Sequence, residues 1–193
     1  MYKGGQNMNL FIIHSYNADT KESFGPYIVE KAKELNINVI FPDFPIRNEA
    51  SYDKWSKVMD KYLENGDLDS NSIIIAHSLG THFIPRYIAE NNISIKLYIS
   101  CAGCIKDHSG REDLKLIVKD FTPSDKQIDK AIELMDNRYS IYSNDDHLNP
   151  QCELEYYAER FNAEKVFIPN IKHMGKSQVK ELPEAIDIIK KYL

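Results

Sequence analysis

Ser78 lies in the run Ser72-Ile-Ile-Ile-Ala-His-Ser-Leu-Gly-Thr-His82, where an apolar, strand-length segment passes through Ala76 into a short turn and then an amphipathic segment. This is the G-x-S-x-G pattern with its first glycine replaced by alanine. A serine at such a turn has a strained backbone and presents its hydroxyl at the carboxyl end of the strand. The residues two before and two after it must be small, because strand and helix pass close together; Ala76 and Gly80 meet that requirement. The backbone N–H of Leu79, near the helix N-terminus, could then meet a developing oxyanion. The plainer reading is that Ser78 caps the helix that follows, as serine often does.

A serine hydroxyl is a weak nucleophile at neutral pH, so this chemistry demands a histidine base and a carboxylate to orient it, in the chain order Ser, Asp, His. Downstream, Ser140-Ile-Tyr-Ser-Asn-Asp-Asp-His-Leu-Asn-Pro150 reads as a strand ending in acidic residues, with Pro150 opening the next helix. Two aspartates compete. Asp146, four residues before Pro150, is favoured over Asp145, one place nearer the strand; both could also be ordinary turn residues. The base expected is His173, in the loop Pro169-Asn-Ile-Lys-His-Met-Gly175 after the last strand. His14, His77, His82, His108 and His147 have local readings: strand end, turn neighbour, helix face and polar turns. A second oxyanion donor should come from the loop after the first strand, His14-Ser15-Tyr16-Asn17, with the N–H of Tyr16 preferred to that of Ser15.

The elements that must position these groups alternate. Strands are expected at Leu10–His14, Val39–Phe41, Ile73–Ala76, Lys96–Ser100, Ser140–Tyr142 and Lys165–Ile168. Helices are expected near Ser23–Leu35, Tyr52–Glu64, Thr81–Glu90, Glu153–Phe161 and Glu184–Leu193. Such β-α alternation implies a doubly wound α/β fold: six parallel strands, ordered 2-1-3-4-5-6, with helices on both faces and active groups at the carboxyl ends of the strands. The stretch Cys101 to Arg138 holds no convincing strand. It carries a charged turn, Lys106-Asp-His-Ser-Gly110, and amphipathic segments around Leu114–Lys119 and Lys126–Met135, reading either as an insertion that shapes a site or as a plain crossover.

Composition narrows the function. The 193 residues suit one domain. The 42% hydrophobic content supports a core, and the net charge of −5 without a basic block argues against nucleic acid. No apolar run approaches the ~20 residues of a membrane span. Residues 1–8, polar and glycine-bearing, read as a disordered leader before a single domain over 9–193, without the halves of a signal peptide. Three cysteines cannot all pair within the chain, so reduced thiols and a cytoplasmic location are expected. Cys101-Ala-Gly-Cys104 is a C-x-x-C, read as strand-end packing or, alternatively, as the redox pair of a thiol oxidoreductase. His77 and His82 stand about 140° apart on a helix and cannot chelate one metal as an i, i+4 pair would. Neither a G-x-x-x-x-G-K-[ST] loop nor a G-x-G-x-x-G fingerprint occurs, so no nucleotide cofactor and no metal are expected.

Several pieces together carry a family resemblance: the first-strand loop, Asp19 to Phe24 leading a helix, Phe41-Pro-Asp-Phe-Pro45, Trp55, Ala-His-Ser-Leu-Gly80, Asn-Asp-Asp-His-Leu-Asn-Pro150 and Lys-His-Met-Gly175. Over roughly residues 9 to 193 the chain resembles the small serine-hydrolase family of retinoblastoma-binding protein 9 and its bacterial relatives. The resemblance implies a compact α/β-hydrolase without a large lid, with Ser78 as nucleophile, Asp146 as orienting acid and His173 as base. The family's partner-binding motif, L-x-C-x-E, is not reproduced around Cys152, where the sequence is Pro150-Gln-Cys-Glu-Leu154, so no such protein partner is implied. The expected function is cofactor-free hydrolysis of a small ester or similar acyl substrate through an acyl-enzyme. The contrasting expectation is an interaction module that keeps the fold without turnover.

Overall fold

The computed structural model describes residues 8–17, 23–106, 108, 110–175 and 178–193. The expected leader lies outside this set except for Met8. The carbonyl of Met8 accepts from the Asn38 N–H at 3.3 Å and its side chain packs on the core, so Met8 belongs to the fold rather than to a leader. Asp19–Glu22 of the segment ahead of the first helix, and Asp107 and Ser109 of the charged turn, also lie outside the described residues.

Six strands, β1 (Asn9–Ile13), β2 (Asn38–Ile40), β3 (Ile73–His77), β4 (Ile95–Cys101), β5 (Met135–Tyr142) and β6 (Glu164–Phe167), form one sheet in the order β2-β1-β3-β4-β5-β6. All five pairings are parallel. The described helices are α1 (Gly25–Glu34), α2 (Tyr52–Glu64), α3 (Gly80–Asn91), α4 (Glu112–Phe121), α5 (Asp125–Leu134), α6 (Gln151–Arg160) and α7 (Pro183–Lys190). The two-residue period of the strands divides their side chains between two cores. Leu10, Ile12, Ile73, Ile75, Leu97 and Ile99 meet α1 and α7, whereas Phe11, Ile13, Ile74, Ala76 and Tyr98 meet α2 to α5. The central strands are buried on both faces, which is why they read as continuous apolar runs.

Helix starts follow local chemistry. The Ser51 hydroxyl accepts from the Lys54 N–H at the head of α2. Ser124 and Gln127 form a reciprocal capping box at the head of α5. Two helices, α4 and α5, account for the amphipathic segments after Cys101. The fifth strand begins at Met135, five residues before its expected start, inside a stretch that showed no strand pattern. Its first turn of polar residues is held by tertiary bonds: Asn137 Nδ2 donates to the Lys96 carbonyl at 3.0 Å, and Arg138 Nε to the Phe161 carbonyl at 2.9 Å. These partners are remote in sequence, so strand periodicity could not reveal them.

Trp55 anchors the α2 side of the core. It is fully buried, stacks on Phe44 at 4.4 Å between ring centroids, and donates from Nε1 to the Pro45 carbonyl at 2.8 Å. Its replacement leaves a large cavity and an unpaired carbonyl. We expect Trp55→Ala to cost about 3–5 kcal/mol. At ~2–4 °C per kcal/mol for a domain of this size, thermal melts followed by circular dichroism should show a midpoint lower by roughly 6–20 °C.

Candidate active site

Three strand ends bring the predicted residues together. Ser78 follows β3 with φ of 51°, the left-handed region that costs a non-glycine residue about 1–2 kcal/mol. The turn is held because the Ser78 N–H donates to the Cys101 carbonyl at the end of β4, at 3.0 Å. A side chain at Gly80 would put Cβ 2.9 Å from Ile13 Cγ2 and 3.0 Å from the Ile13 carbonyl oxygen, so α3 approaches β1 this closely only with glycine there. Ser78 does not cap α3 with its side chain. Its hydroxyl instead meets His173.

The imidazole of His173 bridges the other two groups. Nδ1 lies 2.7 Å from Asp146 Oδ2 and Nε2 lies 2.9 Å from Ser78 Oγ. A carboxylate can only accept, so Nδ1 carries the proton and Nε2 offers its lone pair to the serine O–H. The Asp146 side chain is fully excluded from solvent, and His173 is nearly so. Burial alone would raise the Asp146 pKa. Hydrogen bonds from His173 and from the Leu148 and Asn149 N–H groups, at 2.8 and 3.1 Å on Oδ1, outweigh it and hold the carboxyl below its ordinary range. Of the two candidate aspartates, Asp146 is the one whose carboxylate meets His173. Asp145 points elsewhere, accepting from Ser143 Oγ and from the Lys172 N–H, each at 2.8 Å.

Two further histidines support the site, neither legible as such in the chain. His77 Nε2–H donates to the His173 carbonyl at 2.8 Å. Burial, reinforced by the neighbouring His173, pushes the His77 pKa down to about 3. His14 Nε2 accepts from the Phe44 N–H at 3.1 Å, so its Nδ1–H donates to the Ser15 carbonyl at 2.8 Å. Because carbonyl and N–H of one peptide point in opposite directions, this bond fixes the direction of the Tyr16 N–H. Ser15, Tyr16 and Leu79 line the same cleft as Ser78 and His173, about 280 Å³ in volume. Helix α4 lines it through Leu114, Ile117 and Val118, as does Leu148. The segment after Cys101 thus shapes the cleft.

The cysteines are not disulfide-bonded in this structure. All three are free, Cys101 is fully buried with its thiol pKa pushed far up by that burial, and the Cys104 sulfur lies 3.7 Å from His82 Nε2. Among the described residues, no group of three or more His, Cys, Asp or Glu could hold a metal ion, and no helix is long and apolar enough to cross a membrane.

A parallel sheet in this order, with a serine turn after β3, defines an α/β-hydrolase. Solved structures with the same fold include the ydeN gene product from B. subtilis, 21% identical with a TM-score of 0.84 over 96% of this chain and 98% of that one. A meta-cleavage product hydrolase (CumD) from Pseudomonas fluorescens IP01 is 11% identical, with a TM-score of 0.71 over 98% and 91%. A structure from a study of carboxylesterases of Nitrososphaera gargenis is 13% identical, with a TM-score of 0.72 over 97% and 90%. No curated protein sequence matches the chain. The family model described as serine hydrolase matches residues 11–191, and the chain belongs to that family.

The lowered pKa values of His77 and Asp146 both make the protein less stable in acid. Unfolded, His77 titrates near its ordinary 6.5, so between there and about 3 only the unfolded chain binds that proton. Stability is fully present above about 6.5 and is lost as pH falls toward 3. Asp146 adds a further loss as pH falls below 3.8 through its lowered folded value. Urea unfolding at pH 7 and pH 4 should show a smaller difference in His77→Gln than in wild type; equal differences would contradict the buried neutral imidazole.

Proposed function

We propose that the protein hydrolyses a small ester or similar acyl substrate through a Ser-His-Asp triad. Ser78 Oγ attacks the acyl carbonyl while His173 Nε2 takes its proton, and Asp146 holds the imidazole and stabilises its charged form. The N–H groups of Leu79 and Tyr16 receive the oxyanion. Collapse of the tetrahedral intermediate passes the proton from His173 to the leaving alcohol and leaves Ser78 acylated. Water, deprotonated by the same imidazole, then releases the acid. This reading needs no cofactor and no partner beyond the substrate.

The observation that carries it is the pair of short bonds on one imidazole, 2.7 Å to Asp146 and 2.9 Å to Ser78. Family membership and the resemblance to the retinoblastoma-binding protein 9 group support the same chemistry. An ester substrate is further supported by the fold shared with proteins described as carboxylesterases. The three free cysteines, two of them buried, support a cytoplasmic location.

Labelling with a fluorophosphonate probe and turnover of p-nitrophenyl acetate test the assignment. Wild type should label; Ser78→Ala should not, and Ser78→Ala, His173→Ala and Asp146→Asn should each lose about 10³-fold or more in kcat. Equal labelling of Ser78→Ala, or wild-type turnover in all three variants, would defeat this assignment; absence of both labelling and turnover in wild type would favour a non-catalytic interaction module. The α4 wall makes a separate statement about size. Ile117→Trp narrows the cleft and should lower kcat/KM for p-nitrophenyl hexanoate by about tenfold relative to the acetate, as one to three kcal/mol of lost apolar contact implies.

A further inference from the structure

The loop that carries His173 has an unusual backbone. Asn170, Lys172 and Met174 all adopt positive φ, at 61°, 55° and 55°, so the imidazole is flanked on both sides by left-handed non-glycine residues. A free loop would leave such a conformation, because Cβ crowds the following carbonyl there. Something must hold it. The acid loop supplies consecutive acceptors: Asn144 Oδ1 takes the Asn170 N–H at 3.2 Å, Ser143 Oγ the Ile171 N–H at 3.2 Å, and Asp145 Oδ1 the Lys172 N–H at 2.8 Å. Ser143 Oγ also donates to Asp145 Oδ1 at 2.8 Å, which ties the two inner acceptors together.

We propose that Asp145 is a positioning residue of the active site, holding the backbone of the base loop so that His173 stands in register with Asp146 and Ser78. The proposal rests on the hydrolytic reading of the site. It gives the adjacent aspartates separate tasks: Asp146 bonds the imidazole itself, and Asp145 bonds the backbone N–H one residue before it. The shortest of the three backbone clamps is the one adjacent to His173. Its donor, Lys172, is itself left-handed, so losing the acceptor releases a strained residue next to the imidazole.

The loss should fall on the chemical step rather than on substrate binding, because no cleft-lining side chain is removed. With p-nitrophenyl acetate, Asp145→Ala should lower kcat about 10- to 100-fold, the scale of a small misplacement of a reacting group, with KM within about twofold. Asp145→Asn keeps an oxygen acceptor of the same shape and should retain kcat within about threefold. Ser143→Ala removes the other inner acceptor, should lower kcat in the same way, and should combine with Asp145→Ala less than multiplicatively. Wild-type kcat in Asp145→Ala, an effect confined to KM, or equal impairment of Asp145→Asn would each overturn the clamp. Should Asp145→Ala not fold, wild-type kcat in Ser143→Ala would overturn it. Turnover that survives Ser78→Ala would sink the hydrolytic reading itself, whereas an inactive Ser78→Ala beside an unimpaired Asp145→Ala sinks only the clamp.

Discussion

The arrangement depends on the orientation of one imidazole. His173 can accept from Ser78 only while its other nitrogen keeps a proton, and the buried, ionised Asp146 guarantees that state. A charged carboxylate excluded from water is costly unless fully hydrogen-bonded. Here the His173 N–H and two backbone N–H groups supply that compensation. The negative charge, the tautomer and the direction of the lone pair toward Ser78 are therefore one physical fact seen at three atoms.

Much of the surrounding structure holds strained backbone in place. Ser78 and three residues around His173 lie in the left-handed region without being glycine. Ser78 is secured by the Cys101 carbonyl, Asn170 and Lys172 by the acid loop, Met174 by the Ser23 hydroxyl ahead of α1, and the His173 carbonyl between them by His77. Because β3, β4, β5 and β6 are adjacent and parallel, their carboxyl ends form one rim, and the loops leaving them can bond to each other. Helix α4 then lines the cleft with apolar side chains.

Legibility in the chain tracks the range of the interaction responsible. The apolar runs of β1, β3 and β4 were readable because burial on both faces needs no partner to be named. The serine turn was readable because close approach of helix and strand restricts Ala76 and Gly80 to small residues. His173 and the adjacent pair Asp145 and Asp146 are legible as candidates from chain order and strand ends. The first residues of β5 were not readable: Asp136, Asn137 and Arg138 lack a strand pattern, and Asn137 and Arg138 are held by the carbonyls of Lys96 in β4 and of Phe161 at the end of α6. The roles of His14, His77 and Asp145 were equally hidden, since each bonds a backbone group of a loop, and a backbone group carries no signature in residue type.

Periodicity, small-residue turns and chain order are local or topological properties, and they suffice for the α/β layering, the strand order, and the serine, the pair of aspartates and the histidine that could share one site. Contacts between distant segments settle the rest: which of two adjacent aspartates faces the imidazole, which tautomer results, and what holds the histidine loop in a conformation it would otherwise leave. Those outcomes depend on directions of hydrogen bonds between segments distant in the chain, and direction exists only once the segments have been brought together.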